Sequence, residues 1–223
     1  MSEIVKIRRR ILQENDRKAS DLRERFKREG TLVVDMVSSP GSGKTTLLEQ
    51  TIKNFGDRFD CGVLVGDVAT EYDAERLRAA GGPAHQIVTG GACHLDAKLV
   101  ADGLEAAHFN DVDILFLENV GNLVCPATYD LGEDFKVVLL SASEGADKPA
   151  KYPAIFSRAS VCVITKSDLL PHVDFDFNVA KQHITALNPN CRILELSAKS
   201  GLGMDAWCTL VKERLKSKRT VVV

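Results

Sequence analysis

The feature that most constrains this chain is residues 33–48, where an apolar, β-branched stretch turns into a loop of small residues and then into helix-forming residues. This order predicts a strand, a loop and a helix, the layout of a phosphate-binding P-loop. Glycines let backbone N–H groups point inward around a phosphate, a lysine reaches the outer phosphates, and a threonine hydroxyl can bind Mg²⁺. The predicted phosphate-binding residues are Gly41, Ser42, Gly43, Lys44, Thr45 and Thr46.

One position departs from the usual P-loop pattern. Ser38 stands where the first glycine of G-x-x-x-x-G-K-[ST] is expected. The alternative is a glycine-rich strand-to-helix turn that binds nothing. Because the strand before the loop and the helix after it are both indicated, we interpret the stretch as a P-loop.

The rest of the chain alternates short apolar runs with helical patterns, and residues 114–117 are the clearest run. Such runs indicate strands buried on both faces, as in a parallel sheet covered by helices. We therefore predict a doubly wound α/β fold with a mostly parallel sheet of about seven strands and ligands at the strands' carboxyl ends. Besides the strand before the P-loop, the predicted strands are 62–66, 84–89, 113–118, 136–142, 160–165 and 192–196. The predicted helices are 44–54, 73–80, 94–107, 178–186 and 204–216.

An N-terminal helix is predicted over residues 3–28, where apolar residues repeat at three- and four-residue steps. The predicted organisation is this helix (1–30), a P-loop GTPase domain (31–217) and a tail (218–223). From residue 216 the chain is basic and then apolar, which we interpret as a loose end or a short edge strand.

Composition narrows the classes of function. The formal net charge is -2, which gives no electrostatic argument for binding nucleic acid or an anionic membrane. No signal-peptide core or membrane-spanning stretch is visible, so we expect a soluble cytoplasmic protein. Six cysteines in that compartment are expected to be thiols rather than disulfides. Cys61, Cys162 and Cys208 are predicted to be inert and buried.

A second motif, residues 164–169, follows an apolar strand and resembles the guanine-binding motif of P-loop GTPases, with Thr165 in place of asparagine. Guanine presents two adjacent donors, N1–H and the N2 amine, and the carboxylate of Asp168 can accept both. The stem of Lys166 would lie over the base, and the Thr165 hydroxyl would tie this loop to the P-loop. Ser197, Ala198 and Lys199 resemble the loop whose backbone N–H contacts guanine O6. The alternative is an ordinary surface turn.

Two acidic residues close predicted strands near the P-loop. Asp67 and Glu118 are placed to hold Mg²⁺, directly or through water. Glu118 and Gly121 also resemble the Asp-x-x-Gly switch of GTPases, in which the glycine N–H senses the γ-phosphate. No glutamine is evident to position water, so we expect slow hydrolysis with Lys44, Asp67, Glu118 and Gly121 as the catalytic group. Asp67 either orients water or is a plain Mg²⁺ ligand.

A third constellation consists of adjacent Cys93 and His94 with the more distant Cys125. Thiol and imidazole ligands suit Zn²⁺ or Ni²⁺ better than Mg²⁺. Cys93 is predicted at the start of a helix, where the thiolate is favoured. Three ligands do not complete a tetrahedron, so the site would be open or shared between subunits. On chemistry alone, buried thiols are an equal alternative.

Together these motifs resemble the HypB family of hydrogenase nickel-incorporation GTPases, of the SIMIBI class, from about residue 30 to the last helix. The stretches that carry the resemblance are 38–46, 66–70, 73–76, 90–96, 118–126 and 144–153. The resemblance implies GTP hydrolysis coupled to nickel delivery into the large subunit of [NiFe]-hydrogenase, a GTP-promoted homodimer and the partner HypA. It also implies that Cys93, His94 and Cys125 bind metal at the dimer interface.

Some features leave alternatives open. No Cys or His precedes Cys61, so we do not expect nickel storage on the N-terminal segment. Lys148 and Lys151 would serve phosphate or a partner subunit, or are simply solvated. A urease accessory GTPase of the UreG type is the nearest alternative, although it would show Cys-Pro-His and Glu-Ser-Gly-Gly motifs. The others are a phosphotransferase and a GTP-dependent dimer scaffold with structural zinc.

Overall fold

The computed structural model describes residues 3–68, 70–109 and 111–221. In these ranges, seven strands form one sheet: β1 Leu32–Ser38, β2 Cys61–Asp67, β3 Ala84–Val88, β4 Ile114–Glu118, β5 Phe135–Ser141, β6 Val161–Thr165 and β7 Arg192–Glu195. The helices are α1 Glu3–Glu29, α2 Lys44–Phe55, α3 Tyr72–Ala79, α4 Ala97–Ala107, α5 Lys148–Lys151, α6 Pro153–Phe156, α7 Phe177–Leu187 and α8 Met204–Val221.

The sheet has the order β3-β2-β4-β1-β5-β6-β7, and every neighbouring pair is parallel. Its central strands are buried along their whole length, which explains the continuous apolar runs. From β1 the chain passes to β2 on one side of the sheet, and from β4 it crosses to β5 on the other side of β1, so the loop after β1 lies at a topological switch point. The doubly wound fold is confirmed.

Helix α1 has two unlike halves. Ala19, Leu22 and Phe26 in its second half are buried in a cluster with α4 and the sheet. In its first half Ile4, Ile7 and Ile11 are exposed. The prediction of a helix is confirmed, and only its second half contributes to the core.

Two predicted boundaries are wrong. Helix α4 begins at Ala97 rather than 94, because the Asp96 side chain caps it by accepting from the Leu99 N–H at 2.8 Å. Cys93 therefore precedes the helix and does not lie at its N-terminus. Residues 216–221, predicted as a loose end or edge strand, continue helix α8; residues 222 and 223 lie outside the described residues. No helix in the described ranges is both long and apolar enough to cross a bilayer.

Replacing Phe26 by alanine should lower the free energy of unfolding by about 3–5 kcal/mol, because the ring is 1% exposed and its removal leaves a cavity. Urea denaturation measures this change. Ile7→Ala on the exposed half of the same helix is the control and should change stability by less than about 0.5 kcal/mol. Equal effects at the two positions would contradict the packing described for α1.

Candidate nucleotide and metal sites

The P-loop joins β1 to α2 and forms part of the wall of a cavity. Gly41 and Gly43 have φ values of 71° and 95°, left-handed conformations that glycine adopts without strain. The Lys44 ammonium donates a hydrogen bond to the Ser38 hydroxyl at 3.1 Å, and that hydroxyl donates to the Ser39 carbonyl at 2.7 Å. Ser38, the residue that departs from the P-loop pattern, thus supplies a partner for the buried lysine.

Two neighbouring cavities share Gly43, Thr46 and Lys166 in their walls. One, of about 610 Å³, lies over the P-loop and the ends of β2 and β4. The other, of about 260 Å³, lies between the loops after β6 and β7. Its lining includes Thr165, Lys166, Asp168, Ser197, Ala198 and Lys199. The arrangement suits a nucleotide whose phosphates occupy the first cavity and whose base occupies the second.

The loop after β6 is hydrogen-bonded to the P-loop. The buried Thr165 hydroxyl donates to the Ser42 carbonyl at 2.7 Å, and the Lys166 ammonium donates to the Gly41 carbonyl at 2.7 Å. The first of these is the contact expected from threonine at the usual asparagine position. Asp168 is therefore held at a fixed distance from the phosphate-binding loop.

The carboxyl ends of β2 and β4 place two carboxylates in the larger cavity. Thr45 donates its hydroxyl to Oε1 of Glu118 at 2.7 Å, while Oε2 of Glu118 is buried without a hydrogen-bond partner in the described chain. Burial raises the pKa of Glu118 to about 7, against the opposing effects of Lys44 and Thr45. Asp67 lines the same cavity and accepts from the Thr70 hydroxyl. These oxygen atoms, including Oε2 of Glu118 with no hydrogen-bond partner in the described chain, are suitable ligands for a Mg²⁺ ion.

The segment after β4 rests on the P-loop. The N–H of Asn119 donates to the Met36 carbonyl at 3.0 Å. A β-carbon at Gly121 would lie 2.9 Å from Cα of Pro40, too close for any residue but glycine. This segment and the P-loop are therefore in direct contact.

The same segment leads to a cluster of metal-ligand side chains. The donor atoms of Cys93, His94 and Cys125 all lie within 4.8 Å of one another, and the two Sγ atoms are 2.8 Å apart. The His94 ring lies against Tyr129, with 3.9 Å between ring centroids. Burial lowers the pKa of His94, which favours the neutral, metal-binding imidazole, whereas hydrogen bonding to Cys93 raises the pKa of the Cys125 thiol. Metal binding therefore requires thiol protons to be released.

Comparison with known proteins decides the family. A nucleotide-binding domain described as CobW/HypB/UreG matches residues 32–195. Hydrogenase maturation factor HypB of Azotobacter chroococcum is 46% identical over 213 residues, covering 96% of this chain and 70% of that protein. The chain belongs to the HypB family of hydrogenase maturation factors. The hydrogenase/urease maturation factor HypB of Helicobacter hepaticus is 44% identical over 199 residues, covering 87% and 81% of the two chains.

A solved structure of the HypB family matches almost the whole chain. HypB from Helicobacter pylori, crystallised in complex with nickel, superposes with a TM-score of 0.86 at 39% identity. The match covers 92% of this chain and 96% of that one. The fold and the family identified from sequence motifs are thus confirmed.

Arg76 and Glu144 in the site were not assigned a role from sequence, and the role of Lys148 was left open. Glu144 accepts a hydrogen bond from the Ser42 hydroxyl, and Lys148 donates to the Ser39 hydroxyl at 3.0 Å. Arg76 lines the larger cavity, paired with Glu49 at 2.8 Å. Arg76, Glu144 and Lys148 belong to stretches that carry the family resemblance, which was the only signal available for them.

Glu118→Gln should change the pH dependence of stability. The folded-state pKa of about 7 exceeds the usual 4.5, so wild type loses stability as pH rises from about 4.5 to 7 and no further above that. The glutamine variant lacks this loss, which amounts to about 3 kcal/mol. Urea unfolding of nucleotide-free protein in EDTA at pH 5 and pH 8 measures it. Exposed Glu105→Gln is the control, and parallel curves for wild type and Glu118→Gln would contradict the burial argument.

Proposed function

We propose that this protein hydrolyses GTP and that its nucleotide state controls a nickel or zinc site, from which metal is delivered to the large subunit of [NiFe]-hydrogenase. The contact between Gly121 and Pro40 carries the proposal. Gly121 touches the P-loop, and the stretch that follows it supplies Cys125. Gain or loss of the γ-phosphate would therefore displace Cys125 relative to Cys93.

The base-binding half of the proposal is guanine recognition. Asp168 lines the smaller cavity, where its carboxylate would accept from N1–H and the N2 amine. A backbone N–H in residues 197–199 would donate to O6. Adenine lacks this pair of donors, so ATP is expected to bind weakly.

Hydrolysis would use the residues around the larger cavity. Thr45, Glu118 and Asp67 would hold Mg²⁺, which when bound neutralises phosphate charge. Lys44 would exchange the Ser38 hydroxyl for the outer phosphates, and the Gly121 N–H would contact the γ-phosphate. Asp67 would orient water or bind Mg²⁺. The described residues lining this cavity include no glutamine, which supports slow hydrolysis without a partner.

The metal half of the proposal treats nickel as cargo. Cys93, His94 and Cys125 offer three ligands, which leaves a position for a transfer partner or for a second subunit. We also propose a GTP-promoted homodimer and HypA as a partner, as the resemblance of the motifs implies. Urease is a second candidate target, because a relative that is 44% identical is a hydrogenase/urease maturation factor.

Asp168→Asn should lower GTP affinity by about 100-fold, because one charge-assisted acceptor is replaced by an amide. The asparagine amide can instead donate to the 2-carbonyl of xanthine, so affinity for xanthosine triphosphate should rise. Fluorescent nucleotide titration measures both. Asp205→Asn, at an exposed position of α8, is the control, and unchanged GTP binding by Asp168→Asn would rule out the base assignment.

Wild type should bind Ni²⁺ with different affinities in its GTP-analogue and GDP forms, and Cys125→Ala should abolish the difference. Competition titration with a chromogenic chelator measures these affinities, and light scattering reports the oligomeric state. Cys191→Ala, a half-buried cysteine in another part of the chain, is the control. Equal Ni²⁺ affinities in both forms of wild type would favour a scaffold with structural metal instead.

A further inference from the structure

The two halves of the Cys/His cluster are anchored differently. In the described chain, the backbone bonds given for residues 122–125 are local: the Val124 N–H donates to the Asn122 side chain at 2.8 Å, and the Thr128 N–H donates to the Cys125 carbonyl at 3.3 Å. The Cys125 Sγ also accepts from the Cys93 Sγ at 2.8 Å, within the cluster itself. The loop that carries Cys93 and His94 is bonded to distant elements instead. One half of the site is thus hydrogen-bonded to the sheet, whereas the stretch before Cys125 is held by local backbone bonds and by the buried Leu123 side chain.

The anchor of the fixed half is Asn119, whose side chain is buried. Its Oδ1 accepts from the Leu95 N–H at 3.0 Å, one residue after His94, and also from the Val120 N–H at 3.0 Å. Its Nδ2 donates to Oδ1 of Asp35, in the middle of β1, at 3.2 Å. One amide therefore joins the Cys93–His94 loop to the central strand of the sheet.

Asp35 is itself held in place. It is fully buried and paired with Lys136 of β5, whose ammonium also lies 3.1 Å from Glu133. Burial opposes the lysine's charge, but the two carboxylates outweigh it and raise the pKa of Lys136 to about 12. A buried ion pair adds little net stability, yet it fixes the direction in which Asp35 presents its oxygens.

Leu95 is fixed by its side chain as well. It is fully buried, and it fills the space beside Gly66, where a β-carbon would lie 2.8 Å from its Cδ2 atom. Next to it, the Ala97 N–H donates to the Asn15 side chain of α1 at 2.9 Å. The loop is thus held on the ends of β2 and β4 and cannot follow Cys125 freely.

We infer that Asn119 is a positioning residue that holds the loop of Cys93 and His94 on the sheet. A nucleotide-driven shift of Cys125 would then change the distances between the three ligands instead of moving all three together. This inference rests on the proposed function. Without the hydrogen bonds of Asn119, the loop would follow Cys125, and metal affinity would no longer depend on the nucleotide.

The experiment compares Ni²⁺ affinity in the GTP-analogue and GDP forms of full-length variants. Asn119→Ala should reduce the ratio of the two affinities by about tenfold or to unity. Each form is measured at saturating nucleotide, because Asn119 also lines the larger cavity. Asn188→Ala is the control, because the Asn188 side chain also bridges two parts of the chain in another region: it donates to the Ala159 carbonyl and accepts from the Asn190 N–H. An unchanged ratio in Asn119→Ala overturns the inference.

A reciprocal exchange tests the same contact by rescue. Asn119→Asp places a carboxylate beside Asp35 and should lower the ratio, whereas adding Asp35→Asn restores a donor and acceptor pair with the same total charge. The double variant should regain most of the wild-type ratio. Failure of the folded double variant to recover more than Asn119→Asp overturns the inference.

Amide hydrogen exchange tests the inference on the wild-type protein, without a substitution. The Leu95 amide should keep the same protection in both nucleotide forms, within about threefold, while protection at Val124 changes. A change in protection at Leu95 as large as that at Val124 overturns the inference.

The outcomes separate the inference from the proposed function. If wild type binds Ni²⁺ equally in both nucleotide forms, the proposed function fails and the inference fails with it. If wild type shows a difference and Asn119→Ala leaves it intact, the inference alone fails.

Discussion

Both candidate sites depend on the parallel pairing of β1 with β4. Their register sets Met36 opposite Glu118, so the end of β4 lies beside the beginning of the P-loop. Thr45 consequently reaches Glu118 at 2.7 Å, and the chain that continues from Glu118 crosses Pro40 before it reaches Cys125. A register slip of one residue would turn Glu118 to the opposite face of the sheet and separate these contacts.

The strands and most helix ends were predictable because their signals are local. Each strand predicted with explicit bounds agrees with the structure within one residue, since burial on both faces demands a continuous apolar run. The end of α8 was not predictable in this way. Its basic last turns looked like a loose tail, but Lys218 pairs with Asp134 at 2.6 Å and Arg219 pairs with Asp113. These partners are 84 and 106 positions away, beyond the reach of a sequence window.

The same distinction divides the site residues. Asp67 and Glu118 could be placed from sequence because each ends a strand of a parallel sheet, and Lys44 because the P-loop pattern sets it at the start of the next helix. Asn119 gave no such signal, because its contacts with Leu95 and Asp35 span 24 and 84 positions. Sequence spacing locates residues along strands, whereas the bonds that hold one loop against another depend on which strands are neighbours.

The segment from Glu118 to Cys125 connects two candidate cation sites whose ligand atoms differ in chemical hardness. At its beginning, Glu118 and Thr45 offer oxygen atoms, including a buried carboxylate oxygen with no partner in the described chain. At its end, Cys125 joins Cys93 and His94 in a sulfur and nitrogen donor set. Mg²⁺ prefers the first kind of ligand and Ni²⁺ or Zn²⁺ the second, so under the proposed function each ion would bind at its own end of the segment. Because the two ends are joined by so short a stretch, occupation of one site would then influence the other without the two metals competing for the same ligands.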